Sequence, residues 1–278
     1  KYPFSKAEPV TDKLHGVQVT DDYRWLEADD SPELDTWIGE QNKFVDAHID
    51  AQKLEYYRRH LAKYRDIDSV GIPSRYGDMY FWSETTSKDQ KPKLYTGGEP
   101  YTSDKRLLLD MNLRPTDSLD YWYPSPDGSI VAYGISANGD ELATMYFMDT
   151  TNGATLKEYI PFARYSQIAW QKDSRSLYYT KTLGIKGEES MHAKLFYHVM
   201  GDDPATDTMI LGEDLPKDIF VNIDLNQSYT RLYISLATKW TQNDIIVYDI
   251  RSGTFSDVVR GIEASFSFIA CYGNLYLL

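Results

Sequence analysis

Residues 125–141 read SPDGSIVAYGISANGDE. A turn signal, Ser-Pro-Asp-Gly, opens the stretch. An apolar and aromatic run of strand character, IVAYGIS, follows, and then a second turn signal, Ala-Asn-Gly-Asp. The same order of polar turn and apolar strand returns at 77–84 (GDMYFWSE), 173–181 (DSRSLYYTK), 228–237 (SYTRLYISLA) and 273–278 (GNLYLL). With Phe81, Tyr133, Tyr179 and Ile234 as equivalents, the steps are 52, 46 and 55 residues. A further strand follows each of the first four: KPKLYT (91–96), TMYFMDTTNG (144–153), KLFYHVMG (194–201) and DIIVYDIRSG (244–253). Another comes after that: KRLLLDM (105–111), LKEYIPFA (156–163), DTMILGED (207–214) and SDVVRGI (256–262). Several strands per repeat at a period near 50 is the pattern of β-propeller blades. A blade cannot bury both of its faces alone, so neighbouring blades stack face to face.

Four repeats are complete and a fifth begins near Ser265. The expected fold is therefore mainly β, a partial propeller of about four blades plus the start of a fifth over residues 66–278. The chain stops at Leu278 inside an apolar strand, and the expectation is that it is part of a longer protein. An α-helical segment is expected over 1–65. Within it, 31–52 (SPELDTWIGEQNKFVDAHIDAQ) opens with a capping Ser31 and Pro32 at the first helical position. Leu34, Trp37, Ile38, Gln41, Phe44, Val45, His48 and Ile49 then share one face. A second helical pattern carries Leu54, Tyr57, Leu61 and Tyr64.

The 278 residues are 42% hydrophobic and 14% aromatic, with 23 tyrosines, which favours strands in a soluble globule. A net charge of −13 repels phosphate backbones and anionic surfaces, so no nucleic-acid or membrane partner is expected. The single cysteine, Cys271, excludes an intrachain disulfide and a cysteine-based zinc site, and its apolar run predicts a buried, inert thiol. No apolar run is long enough for a membrane helix and no signal peptide is visible, so the expected compartment is the cytoplasm. The chain opens on Lys1 rather than Met; if a leader was removed upstream, the periplasm takes its place.

GISANG (134–139) almost spells the G-x-S-x-G elbow of a nucleophilic serine. The elbow needs glycine two residues after the serine and a helix beyond it. Here that place is Asn138, and a strand pattern follows, so Ser136 reads as part of a β-turn joining two strands. The histidines at 15, 48, 60, 192 and 198 are scattered and form no zinc motif. The acid pairs Asp21-Asp22, Asp29-Asp30 and Asp202-Asp203 lack a calcium-loop spacing. No phosphate-binding glycine loop is present. No catalytic residue, metal site or cofactor is assigned from these patterns.

Residues 12–27, DKLHGVQVTDDYRWLE, resemble the N-terminal segment of the prolyl oligopeptidase family, and EQNKF (40–44) continues the likeness. SPDGSIVAYGISANGDE (125–141), IAWQKDSRSLYYTK (168–181) and LFYHVMGDD (195–203) resemble successive blades of that family. The resemblance implies an N-terminal helical segment that packs on an α/β-hydrolase domain, followed by a propeller that covers the active site. It implies a serine peptidase whose triad lies in a C-terminal hydrolase domain outside these residues, and short proline-containing peptides as substrates. It also implies that the propeller lends side chains to the substrate pocket. By position these are Tyr165, just before Ser166-Gln167-Ile168-Ala169-Trp170; Phe220, just before the inner strand of the next blade; and Trp240, near the loop after that inner strand, where the family more often has a small residue.

Two functional readings follow. The first is the front part of a proline-specific serine endopeptidase. The second is a non-catalytic propeller that binds a peptide or protein, since a fold does not by itself decide function. The helical segment and the unfinished fifth blade favour the first.

Overall fold

The computed structural model describes residues 1–28, 31–272 and 275–277, with side chains described as far as residue 269. Asp29-Asp30 and the Cys271 thiol therefore lie outside what is described. The chain forms two compact units, Lys1–Ile67 and Asp68–Leu278.

In the first unit, β1 (Val10–Leu14) and β2 (Val17–Asp21) pair antiparallel across His15-Gly16. Both turn residues have positive φ, 51° and 87°, the mirror-image turn whose twist suits a tight hairpin. Arg24 reaches back from the following 3-10 turn to Asp12 and Asp21. Trp25 donates its indole N–H to the Lys6 carbonyl at 3.0 Å and meets Trp37 edge-on at 6.1 Å. The Asp-Tyr-Arg-Trp stretch thus clasps hairpin, N-terminal strap and helix together.

Helix α1 (Pro32–His48) starts under a Ser31 cap, whose hydroxyl accepts from Leu34 N. It stops earlier than the periodicity through residue 52 suggests. Asp50 ends it by capping α2 (Ala51–Arg65), its carboxylate accepting from the N–H groups of Gln52 and Lys53. No residue of either helix is fully buried, and Ile38, Val45, Tyr57, Leu61 and Tyr64 are exposed.

The second unit is a run of antiparallel sheets. The first contains β3 (Ser69–Val70), β4 (Ser74–Tyr76), β5 (Met79–Thr85), β6 (Lys93–Gly97) and β7 (Arg106–Asp110), with β3 and β4 both pairing to β5. The second is β8 (Asp117–Pro124), β9 (Ile130–Ala137), β10 (Thr144–Asp149) and β11 (Ala154–Ile160). The third is β12 (Ile168–Trp170), β13 (Ser176–Lys181), β14 (Lys194–Val199) and β15 (Thr208–Leu211). The fourth is β16 (Phe220–Leu225), β17 (Arg231–Lys239), β18 (Gln242–Asp249) and β19 (Thr254–Val259). The last three are four-stranded meanders in chain order. A hairpin of β20 (Ala270–Tyr272) and β21 (Leu275–Leu277) follows. This is the blade arrangement of a β-propeller, four blades and the opening of another.

The core lies between sheets. Strand alternation sends Val131, Tyr133 and Ile135 of β9 toward Phe81, Leu94 and Leu109 of the first sheet. It sends Ala132 the other way, into a cluster with Trp170, Leu177 and Tyr179 of the third. Tyr178, between Leu177 and Tyr179, faces the fourth sheet and packs with Val221, Leu232 and Ile234. Each interior strand therefore contributes to two cores, which is why IVAYGIS and SLYYTK are apolar almost throughout.

The turns that open the second strand of the first three blades touch one another as well, and the fourth shares their backbone conformation. Gly77, Gly128, Ser174 and Tyr229 all hold left-handed backbone, with φ of 57°, 75°, 56° and 57°. A Cβ on Gly77 would lie 2.4 Å from the Asp127 carbonyl oxygen of the next blade, so that place accepts only glycine. Ser174 Oγ accepts from Asp127 N at 3.1 Å, one blade further on.

Candidate peptide-binding site

Ser136 lies on β9, buried, and its hydroxyl donates to Asp120 Oδ1 at 2.9 Å. Asn138 and Gly139, both at positive φ, turn the chain into β10 rather than into a helix. No histidine hydrogen bonds to it, and burial raises the Asp120 carboxyl above its usual range. Ser136 is a strut between β8 and β9. Gly134, two residues earlier, has its own reason: a Cβ there would lie 2.3 Å from the Tyr121 ring, which is held by a 2.8 Å bond from its hydroxyl to the Ala163 carbonyl.

The histidines do not converge. His15 is in the β1–β2 turn, and His48 and His60 bond to carbonyls of their own helices. His192 pairs with Glu188 at 2.6 Å. His198 is fully buried, with Nδ1 2.7 Å from Asp207 and Phe147 stacked at 5.9 Å. Asp207 also accepts from the Tyr179 hydroxyl at 2.7 Å. Among the described residues no three His, Cys, Asp or Glu side chains converge as metal ligands.

A cavity of about 570 Å³ opens at one end of the third and fourth sheets. Tyr165, Phe220 and Trp240 all line it. Tyr165 stands at the entry to β12 and Phe220 at the entry to β16, so two neighbouring inner strands deliver one aromatic each to the same opening. Trp240 is carried by the β17–β18 turn, 6.0 Å from the Phe220 ring. The three are 48%, 49% and 93% exposed, so none is a core residue in this structure.

The polar groups among the lining residues are tied by hydrogen bonds. Thr180 Oγ accepts from Gln167 N at 2.9 Å, and Thr182 Oγ donates to the Glu189 carbonyl at 2.7 Å. Asn243 builds the far wall. Its side-chain oxygen accepts from Phe266 N at 2.7 Å, and its amide donates to Phe266 O at 2.8 Å and Ser235 Oγ at 2.6 Å. Asn243 thus does for the 264–268 segment what a paired strand would do. Glu141, from the β9–β10 turn, accepts from the Tyr165 hydroxyl and from Arg164. These two bonds hold the Glu141 carboxyl below its usual range, the tyrosine first.

Aromatic faces beside a few fixed polar groups suit an extended peptide with apolar side chains. No nucleophile with an adjacent base is present among the cavity residues. Asn243 and Glu141 are absent from the sequence reading. The signal for Asn243 was a polar residue opening an apolar strand; nothing local marked Glu141, whose partner is 24 residues away.

A family model described as prolyl oligopeptidase, N-terminal β-propeller domain, matches residues 2–278. The prolyl endopeptidase of Elizabethkingia meningoseptica is 24% identical over 288 aligned residues, covering 100% of this chain and 40% of that protein. Protease 2 of Moraxella lacunata is 23% identical, covering 86% of this chain and 36% of that protein. Among solved structures, a prolyl endopeptidase studied for inter-domain dynamics in catalysis and specificity superposes with a TM-score of 0.85 and 28% identity, over 99% of this chain and 42% of that one. Prolyl oligopeptidase B of Galerina marginata, bound to a 35mer hydrolysis and macrocyclization substrate, gives a TM-score of 0.82 at 21% identity, a likeness of fold. The chain spans about 40% of the length of the first two curated relatives it matches.

Proposed function

This chain belongs to the prolyl oligopeptidase family, whose N-terminal propeller portion it matches, and from that premise we propose that it is the substrate-gating part of a serine endopeptidase that cleaves short peptides after proline. The observation that carries the reading is the meeting of Tyr165, Phe220 and Trp240 at one cavity. Three partly exposed aromatic faces give a proline ring and its apolar neighbours a surface to pack on. The peptide would lie across this end of the blades, with its scissile bond presented to a hydrolase domain in the same polypeptide. Acyl transfer would run there, through a serine activated by histidine.

The unsatisfied faces of the first unit support the same partner. Ile38, Val45, Tyr57, Leu61 and Tyr64 present apolar surface that a further domain would cover. The propeller's part is to orient short peptides and to exclude folded proteins from the nucleophile.

The test uses the full-length polypeptide that carries these residues. It should hydrolyse the p-nitroanilide of a blocked Gly-Pro dipeptide, far faster than the Gly-Ala analogue, and a fluorophosphonate should label and silence it. Absence of both hydrolysis and labelling would overturn the reading.

A further inference from the structure

Tyr165 carries more restraint than an exposed aromatic normally does. Its hydroxyl donates to Glu141 Oε2, and Arg164 Nη2 donates to the same oxygen at 2.9 Å. The Arg164 guanidinium lies 4.3 Å from the centre of the Tyr165 ring, within cation–π range. Glu141 and Tyr165 both hold left-handed backbone, φ 59° and 48°, which side-chain-bearing residues keep only where their surroundings fix them. Burial does not supply that restraint, because Tyr165 is 48% exposed and Glu141 is exposed as well.

The brace also crosses between blades. Glu141 belongs to the β9–β10 turn of the second sheet, while Arg164 and Tyr165 lead into the third. Arg164 and Tyr165 line the cavity and Glu141 does not, so Glu141 acts on it through those two side chains.

We infer that Glu141 is a positioning residue for peptide binding. It anchors the Tyr165 hydroxyl from the neighbouring blade while Arg164 covers one face of the ring, and the other face is presented to the peptide. The inference rests on the reading of the cavity given above. It assigns to the tyrosine hydroxyl a role that a phenylalanine at the same position could not fill. Because the bond is solvent-exposed, it is given the net contribution of an ordinary hydrogen bond, which corresponds to about a three- to tenfold change in apparent affinity.

The test is steady-state kinetics of the full-length polypeptide with the blocked Gly-Pro p-nitroanilide, using Glu141→Ala, Glu141→Gln, Tyr165→Phe, Tyr165→Ala and the Glu141→Ala/Tyr165→Phe double variant. Glu141→Ala and Tyr165→Phe should each raise KM about three- to tenfold with a much smaller change in kcat. The double variant should be no worse than either single one. Glu141→Gln keeps an acceptor for the hydroxyl and should recover most of the loss. Additive effects of the two single changes, or an unchanged KM in Glu141→Ala beside a raised KM in Tyr165→Ala, overturn the inference while sparing the cavity. An unchanged KM in Tyr165→Ala overturns both. Should the polypeptide show no turnover, the peptidase reading falls, and the inference is read from the Kd of the same variants for the blocked Gly-Pro p-nitroanilide, with the same pattern expected and the same patterns overturning it.

Discussion

Gly134→Ala changes one hydrogen into a methyl group in the middle of β9. The new Cβ would sit 2.3 Å from Tyr121 Cζ and 2.4 Å from Cε1, well inside the 3.4–4 Å of ordinary contact. The ring must therefore move by more than 1 Å, roughly the shortfall from that range. It cannot do so freely, because its hydroxyl is bonded to the Ala163 carbonyl at 2.8 Å and its flank packs into the core between the second and third sheets. Overpacking of this kind costs about 1–3 kcal/mol, and loss of the hydroxyl bond adds about 1 kcal/mol. The expected destabilisation is about 2–4 kcal/mol, read by urea unfolding followed through tryptophan fluorescence. Removing the ring provides the internal check. In a Tyr121→Ala background, Gly134→Ala should add little, since the clash has gone. A single-variant cost below about 0.5 kcal/mol, the range of ordinary surface changes, would refute the close-approach argument. So would an undiminished cost in the Tyr121→Ala background.

Three further outcomes follow from the same geometry. Asn243→Ala removes three side-chain bonds and should cost about 2–3 kcal/mol while increasing hydrogen exchange at Phe266, whose backbone it holds. Ser136→Ala should cost about 1 kcal/mol in stability through its bond to Asp120, and fluorophosphonate labelling of the full polypeptide should persist unchanged. Asp89, bonded to Lys93 and to Thr86, has its carboxyl lowered from 3.8 to about 2, so its contribution is full above the unfolded value and is lost as pH falls through about 2. Asp89→Asn should therefore flatten the stability profile between about pH 4 and pH 2, measured as Tm against pH.

The outer three strands of each blade were legible because each is a self-contained apolar run behind a turn signal. The inner strands were not laid out by the repeat, for reasons visible in their residues. β12 is only three residues long, and β16 alternates exposed Phe220 and Asn222 with buried Val221 and Ile223. β8 opens on polar residues, Asp117 and Ser118, before its aromatic end. The end of α1 was missed because no glycine or proline marks it; the break is a local hydrogen-bond choice made by Asp50.

The candidate site was legible only in part. Resemblance singled out Tyr165, Phe220 and Trp240 as positions, and the fold brings all three to one cavity. Their supports come from elsewhere in sequence. Glu141 reaches in from another blade, and Asn243 binds a segment 23 residues later. His198 looked like one alternating strand residue, yet it is sealed against Asp207, 9 residues on, and Phe147 of the neighbouring blade. Such pairings depend on how sheets stack, which short-range periodicity does not encode.

The most direct measurement is the KM of the full-length polypeptide for a blocked Gly-Pro p-nitroanilide in the wild type, Phe220→Ala and Trp240→Ala. Both side chains are largely outside the core, so the variants should fold normally. If, as proposed, the cavity binds the peptide and the chemistry lies in another domain, each variant raises KM severalfold while kcat changes much less. Unchanged KM in both variants, with hydrolysis intact, would contradict the proposal.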